Sequence, residues 1–450
     1  MTTLKKRAIH AGLWTIGGYG ASQFIRLASN LILTRLLFPS MFGVMAIVSA
    51  IMAGLVLFTD LGLRENIIQS RRGDDPVFLN TVWSIQILRG VLLWLASVLL
   101  STGLYVANYV GWIAPNTVYA SPLLPFLIPV STLAVLVSAF EPTWTSTASR
   151  KLQQSKVTLI DLSTQVGSIM VMLVLVWIDH TIWALVVGGL SSSIIRNVIV
   201  YYIVPGEPNK WQWEREAVRE VFHFGKWIFL ASIVGFLFNN GDRLLLGGLI
   251  TAQELGVYTV AFFLVSSVSH MVSRLVGNVA FPSLSEAGRE RPNELRQVYY
   301  HFRLLFDLVL LFFAGFFYLT GEWIIHTLYD GRYHEAGRIM EVLAVLLVAV
   351  RYNLADQCFM VLGKPKYMTY LIAVRTATMF VLLPWAYRHY QMMGAIWAIV
   401  LSYFVSIPIT FYFKYKLHLL HIGRELYTLP MLGVGAFVGW IFLKVVSAWQ

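Results

Sequence analysis

The sequence predicts an all-α polytopic membrane protein of about 12–14 spanning helices in two lobes, and three observations predict it. The first is composition. Hydrophobic residues make up 57% of the 450 residues and charged residues only 13%, with a mean hydropathy of +0.67, whereas a soluble domain carries about 25% charge. So little polar side chain cannot cover a water-exposed surface, and lipid is the solvent that fits. The second is a series of apolar runs near the ~20 residues needed to cross a hydrocarbon core. Helices are the open-ended structures that satisfy every backbone polar group there. The third is a weak internal repeat at an offset of 213 residues. It pairs His10 with His223, Gly12 with Gly225, Trp14 with Trp227, Leu31 with Leu244, Leu33 with Leu246, Leu36 with Leu249, Gly43 with Gly256 and Val44 with Val257. A half-length repeat within a membrane predicts paired lobes around a central path.

In chain order, thirteen spans are predicted at 12–33, 42–63, 80–103, 119–140, 158–178, 182–204, 225–248, 256–280, 303–320, 338–361, 367–387, 393–413 and 427–446. Met1 to Arg7 is basic, and the apolar stretch after it runs too long for a signal core, so it reads as the first span. With the N-terminus in the cytoplasm, the inner loops hold Arg71 and Arg72, then Arg150 and Lys151, Lys210 and Arg215, Arg289 and Arg291, Lys364 and Lys366, and Lys414 and Lys416. The outer loops are poorer in positive charge, the mixed Asp330–Arg338 loop excepted. This placement turns the net charge of +11 into an orientation signal rather than a nucleic-acid footprint. Pro122, Pro125, Pro129, Pro384 and Pro408 mark kinks or helix ends. Trp112, Trp177, Trp183 and Trp323 fall at outer boundaries as an aromatic belt.

The domain reading is an N-terminal lobe over 1–204, a cytoplasmic linker over 205–224, a C-terminal lobe over 225–415 and an extra C-terminal helix over 416–450. In the linker, Trp211, Trp213, Val218 and Phe222 form the apolar stripe of a short surface-lying helix, or the segment is a plain solvated loop.

Charges inside spans are the candidate functional residues, because each costs about 2.5–3.5 kcal/mol at a span centre on insertion scales. Arg26 lies in the first span, Arg274 in the eighth, Arg351 and Asp356 in the tenth and Arg375 in the eleventh. Arg26 and Arg274 have no opposite charge within one helical turn, and a guanidinium fork suits an anion such as phosphate. Arg351, Asp356 and Arg375 read equally as substrate contacts or as an internal ion pair that pins the second lobe. Asp242, in an apolar setting, is a proton or sodium site, or part of a neutralised network with Arg243 and Asn239–Asn240. Asp60 and Asp161 lie near inner span ends, where snorkelling explains them too. The single cysteine, Cys358, excludes a disulfide framework. There is no zinc motif, no P-loop and no Gly-x-Ser-x-Gly, so no enzyme, metal or cofactor is expected.

The run Asn30-Leu-Ile-Leu-Thr-Arg-Leu-Leu-Phe-Pro-Ser-Met-Phe-Gly43 resembles the opening of bacterial polysaccharide transporters of the Wzx type. So do Phe58-Thr-Asp-Leu-Gly-Leu63, Ile67-Ile-Gln69, Asn239-Asn-Gly-Asp-Arg-Leu-Leu-Leu-Gly247, Leu255-Gly-Val-Tyr-Thr-Val-Ala261 and Phe281-Pro-Ser-Leu-Ser285. These motifs point to the multidrug/oligosaccharidyl-lipid/polysaccharide exporter superfamily, close to its colanic acid exporter group. The resemblance implies two six-helix lobes around a V-shaped cavity, as in MATE transporters. It also implies flipping of undecaprenyl-pyrophosphate-linked oligosaccharide across the bacterial inner membrane by alternating access, in exopolysaccharide, O-antigen or capsule biosynthesis. Carried over by position, Arg26 and Arg274 are the leading pyrophosphate contacts, with Arg351 and Arg375 as further substrate-binding candidates. Asp242, Asp356 and Asp60 are the ion-coupling candidates, for H+ or Na+. The implied partners are the lipid-linked oligosaccharide, membrane lipid and the polymerase and export machinery, with no nucleic acid. Family members have twelve or fourteen spans, so a thirteenth is either an extra half-pair or a misassigned stretch. The competing readings are a cation-coupled multidrug exporter of the same fold, a membrane glycan polymerase and a structural scaffold.

Overall fold

Apolar backbone in lipid has to bond within its own segment, and the described residues are helical with short connections. The computed structural model describes residues 2–449 apart from 58, 60, 152 and 204–208, and the side chains of 2–13, 16, 203, 223–232 and 449 are outside the description. The chain divides into two compact units, residues 1–236 and 237–450. The first unit holds α1 (Thr2–Leu36), α2 (Pro39–Leu57), α3 (Leu63–Gln69), α4 (Pro76–Val110), α5 (Leu124–Ser138), α6 (Trp144–Arg150), α7 (Gln154–Ile178) and α8 (Trp183–Ile203). Helix α9 (Arg215–Gly247) carries the chain into the second unit. That unit holds α10 (Ala252–Leu275), α11 (Phe281–Glu290), α12 (Leu295–Leu328), α13 (Ala336–Ala344), α14 (Leu346–Val350), α15 (Asn353–Val361), α16 (Pro365–Lys416), α17 (Ile422–Leu426) and α18 (Pro430–Trp449).

Among the described residues, the thirteen apolar stretches are mostly helical. Among the described residues, eight helical stretches are long and apolar enough to cross a membrane. One of them, α16, turns back at Gln391 (φ 53°, ψ −147°), so its two halves of about 25 residues are each long enough to span. Gly394 sits just past this turn, where a Cβ would meet the Ala386 carbonyl oxygen at 2.5 Å. The tenth stretch is broken into α13, α14 and α15, and Arg351 stands at the α14–α15 break. The helix starts keep the repeat offset, since Thr2 and Pro39 begin α1 and α2 while Arg215 and Ala252 begin α9 and α10.

Helices in lipid associate by close packing, which small residues allow. In the first unit, a Cβ on Gly18 of α1 would come within 2.1 Å of Thr158 Cγ2 on α7, and one on Gly90 of α4 within 2.5 Å of Ala139 Cβ beyond α5. In the second, Gly315 of α12 faces the Leu432 carbonyl oxygen and Gly435 of α18 faces that of Phe312, each too close for any side chain. The last helix is thereby seated along α12. Pro129 lies inside α5 and removes the N–H that would bond the Pro125 carbonyl. The Ser101 hydroxyl of α4 donates to that freed acceptor instead.

The segment before α9 lies within the first unit and is bonded to α4. Residues 209–214 form no helix, and the helix that follows, α9, runs on through the seventh predicted span. The start of α4 holds this segment. Lys210 N donates to Asn80 Oδ1 (3.0 Å), Gln212 N to Ser84 Oγ (3.0 Å) and Glu214 N to Thr81 Oγ1 (3.2 Å). Ala217 and Val221 of α9 then enter the core formed by Leu63, Ile67, Phe78, Val82 and Ile85. The loop before α4 meets this segment through Arg72–Glu214 (2.7 Å) and the end of α6 through Arg150–Asp74 (3.2 Å).

Candidate functional site

The cations that sequence places inside spans separate into two environments. Arg26 is exposed on α1. The spacing of Tyr19, Ser22, Gln23, Arg26 and Asn30 puts them on one helix face as a polar stripe. Ser22 Oγ donates to Gln165 Oε1 of α7 (2.6 Å), and Gln165 Nε2 returns a bond to the Ser22 carbonyl (3.0 Å). Gln23 Nε2 donates to Tyr19 Oη (3.0 Å), while Gln23 Oε1 is buried without a hydrogen-bond partner.

Arg274 is likewise exposed, in the last turn of α10. Ser267, His270, Arg274 and Asn278 recur at intervals of three and four, with the last three exposed. Residues Val276–Ala280 wind as a π-turn. Pro282 follows directly and cannot donate to the carbonyl four residues back, which favours such a register shift. The π-turn re-aims the side chains just beyond Arg274.

The other candidates lie inside the second unit. Arg351 is buried (5% exposed) and bonded to Asp307 (3.2 Å), Thr428 Oγ1 (3.3 Å) and Tyr352 Oη (2.8 Å). Arg375 is buried, donating to Ser406 Oγ (2.7 Å) and Asn353 Oδ1 (3.1 Å) and lying over the Tyr403 ring. Asp242 is buried and accepts from Tyr258 Oη (2.5 Å), and its Oδ1 has no hydrogen-bond partner. Asp356 is buried, and its Oδ1 also lacks one. Arg243 stacks its guanidinium over Phe262. Asp60 lies outside the described residues.

Sequence reasoning missed the largest polar assembly. Arg303 of α12 is 1% exposed and pairs with Glu425 of α17 (2.6 Å) and Asp307 (3.3 Å). Lys414, at the end of α16, is fully buried and also pairs with Glu425. Tyr300 Oη donates to Glu425 Oε1 (2.7 Å) and Thr428 Oγ1 to Asp307 Oδ2 (2.7 Å). Three cations thus share two carboxylates, and the excess positive charge rests on rings: Arg303 lies 4.6 Å from the Tyr352 centroid and Lys414 4.7 Å from that of Tyr299. This cluster fastens the segment after α16 to α12. Among the described residues there is no cluster of three or more metal-ligating side chains.

Residues 32–338 match the family described as "Polysaccharide biosynthesis protein". The chain is 21% identical over 289 residues to the lipopolysaccharide biosynthesis protein WzxC of Escherichia coli (strain K12), covering 63% of this chain and 56% of that protein. It spans about half the length of the curated relatives it matches. Among solved structures, it resembles the lipid II flippase MurJ in an inward closed conformation, with a TM-score of 0.64, 14% identity, and 99% of this chain and 93% of that one covered. It also resembles an inward-facing multidrug resistance MATE family transporter of the MOP superfamily, with a TM-score of 0.59, 16% identity, and 93% and 95% covered. The family match covers more than half of the chain, so this multi-pass membrane protein, with the fold of MATE and MurJ, belongs to the polysaccharide biosynthesis protein family.

Proposed function

We propose that the protein flips an undecaprenyl-diphosphate-linked oligosaccharide across the bacterial inner membrane by alternating access, with its N-terminus in the cytoplasm. The observation that carries this reading is the pair of exposed guanidinium groups, Arg26 on the polar face of α1 and Arg274 on that of α10, one in each unit. A guanidinium fork bonds diphosphate oxygens two at a time, and the polar faces supply hydroxyl and amide partners for sugar. The names of its relatives agree in kind, one a lipopolysaccharide biosynthesis protein and one a lipid II flippase. The gathering of the loops around Arg72 and Arg150 at one end of the first unit supports the orientation, because those loops follow spans that should end on one side.

In this reading Arg351 and Arg375 act from within the second unit, holding its helices rather than touching the cargo. Asp242 and Asp356, each with a buried unpartnered oxygen, are the groups that take up the coupling ion, H+ or Na+. Asp60 remains a third candidate for that role. The test is reconstitution of the full chain in liposomes with a fluorescent polyprenyl-diphosphate oligosaccharide, with and without proton and sodium gradients. Movement of the labelled lipid to the far leaflet is the expected result, and an unchanged leaflet distribution under every gradient would overturn the reading.

A further inference from the structure

We infer that the last turn of α16 and the short helix α17 form a binding site for the headgroup of an anionic phospholipid at one end of the second unit. The second half of α16 sets the level of the site. Trp397, Leu401, Val405 and Tyr412 are exposed along it at the spacing of a single helix face, and lipid covers such a face. The stripe ends in Tyr415 and Lys416, both exposed. A tyrosine and a snorkelling lysine at a span end mark the passage from hydrocarbon to headgroups. The chain enters α18 with Leu429 and Leu432 exposed. Helix α17 therefore lies at the boundary between two lipid-facing helices, and its own exposed Ile422 and Leu426 are apolar.

The charge balance of this end selects the occupant. Residues 357–450 hold eight Lys and Arg but one acidic side chain, Glu425. That carboxylate is buried and already shared by Arg303, Lys414 and Tyr300. With the whole ionic seat counted, Arg303, Arg351, Lys414, Lys416 and Arg424 stand against Asp307 and Glu425, five cations to two carboxylates. The acids on the approach to α12 do not redress this, because Glu286, Glu290 and Glu294 are matched by Arg289, Arg291 and Arg296. Lys416 and Arg424 are exposed, and neither is held in an ion pair among the described residues. The Arg424 guanidinium lies 5.6 Å from the Tyr300 centroid, a ring contact that leaves its N–H donors for an acceptor. Two free cations on a lipid-facing surface without a free carboxylate complement a phosphodiester of net negative charge.

The test uses the full chain in phosphatidylcholine nanodiscs, with a bimane label on I422C, where the side chain is 65% exposed. The one native cysteine, Cys358, is buried and stays unlabelled. The discs contain a fixed fraction of lipid with a nitroxide near the glycerol end of an acyl chain, either phosphatidylglycerol or phosphatidylcholine. At low ionic strength, the phosphatidylglycerol is expected to quench the label severalfold more than the phosphatidylcholine. K416Q/R424Q is expected to lose the preference, at about fivefold for each charge removed, whereas K416R/R424K keeps it. In the I422C protein itself, salt at about 1 M should remove it as well, so the test does not depend on the folding of any charge variant. Equal quenching by the two lipids, absence of quenching, a preference that survives K416Q/R424Q, or one that high salt leaves intact would each overturn the inference. The readout is independent of transport, so it stands or falls apart from the proposed function.

Discussion

The segment that follows α8 and the segment that follows α16 fold back in the same manner, yet different chemistry holds them. In the first unit, neutral side chains of α4 bond the backbone of 209–214, with half-exposed ion pairs alongside. In the second, the return onto α12 is made by Arg303, Asp307, Lys414 and Glu425, all at most 1% exposed. A buried charge in a membrane helix is therefore not by itself a sign of cargo. Of the arginines that the sequence singles out inside spans, Arg26 and Arg274 are the exposed ones.

The largest effect should come from breaking the ionic seat. Glu425→Gln leaves Arg303 and Lys414 buried with a single remaining carboxylate nearby, and removing one partner of a buried pair costs about 3–5 kcal/mol. A large fall in the thermal midpoint of the detergent-solubilised protein, or loss of folded protein from the membrane, is the expected outcome. A midpoint close to wild type would erase the contrast between the two seats. Next in size, Arg26→Ala or Arg274→Ala should abolish glycan export at normal membrane levels, because a charge-assisted hydrogen bond contributes about 1.5–3 kcal/mol, or roughly 10–100-fold in affinity. Measuring surface glycan beside protein abundance checks this, and normal export in both variants would leave the polar faces without a role.

Smaller effects sharpen the first seat. Ser84→Ala or Thr81→Val removes one neutral bond, and about 1 kcal/mol of local stability should go with it. Faster hydrogen exchange confined to 209–214 is the expected signature. The smallest effect is one of pH at the same end. A side-chain hydrogen bond from Lys151 holds the Asp74 carboxyl below its usual range, and one from Arg72 does the same for Asp75. A lowered folded pKa gives a contribution that is complete above the ordinary carboxylate value of about 3.9 and is lost as pH falls through the lower folded value. Protection of residues 70–76, taken relative to the intrinsic exchange rate at each pH, should therefore be unchanged from neutral pH to about 4 and should fall only below it.

The helices were legible in the sequence because hydropathy and length alone define a span in lipid, and the turn at Gln391 agrees with the gap between the eleventh and twelfth stretches. The buried arginines were visible as charges, but their partners were not. Arg351 meets Asp307 and Thr428, which lie 44 and 77 residues away, and no local spacing reports such contacts. Arg303, Lys414 and Glu425 sit near the ends of apolar runs, where charge ordinarily snorkels to water, so their burial had no signature. The segment read equally as a surface-lying helix or a solvated loop, because its tryptophans and Phe222 fit a helical stripe while its charges suit water. The groups that bond it, Asn80, Thr81 and Ser84, stand about 130 residues earlier. The polar faces of α1 and α10 were readable in principle from the spacing of Ser22, Arg26 and Asn30 and of Ser267, His270 and Arg274.

Equilibrium binding of a polyprenyl-diphosphate oligosaccharide to the purified protein, compared across wild type, Arg26→Ala, Arg274→Ala and the double variant, tests the central claim most directly. Each single change is predicted to weaken binding about 10-fold or more, with the thermal midpoint unaltered and the loss much smaller for the monophosphate analogue. Wild-type affinity in the double variant, or equal losses for the two phosphates, would contradict it.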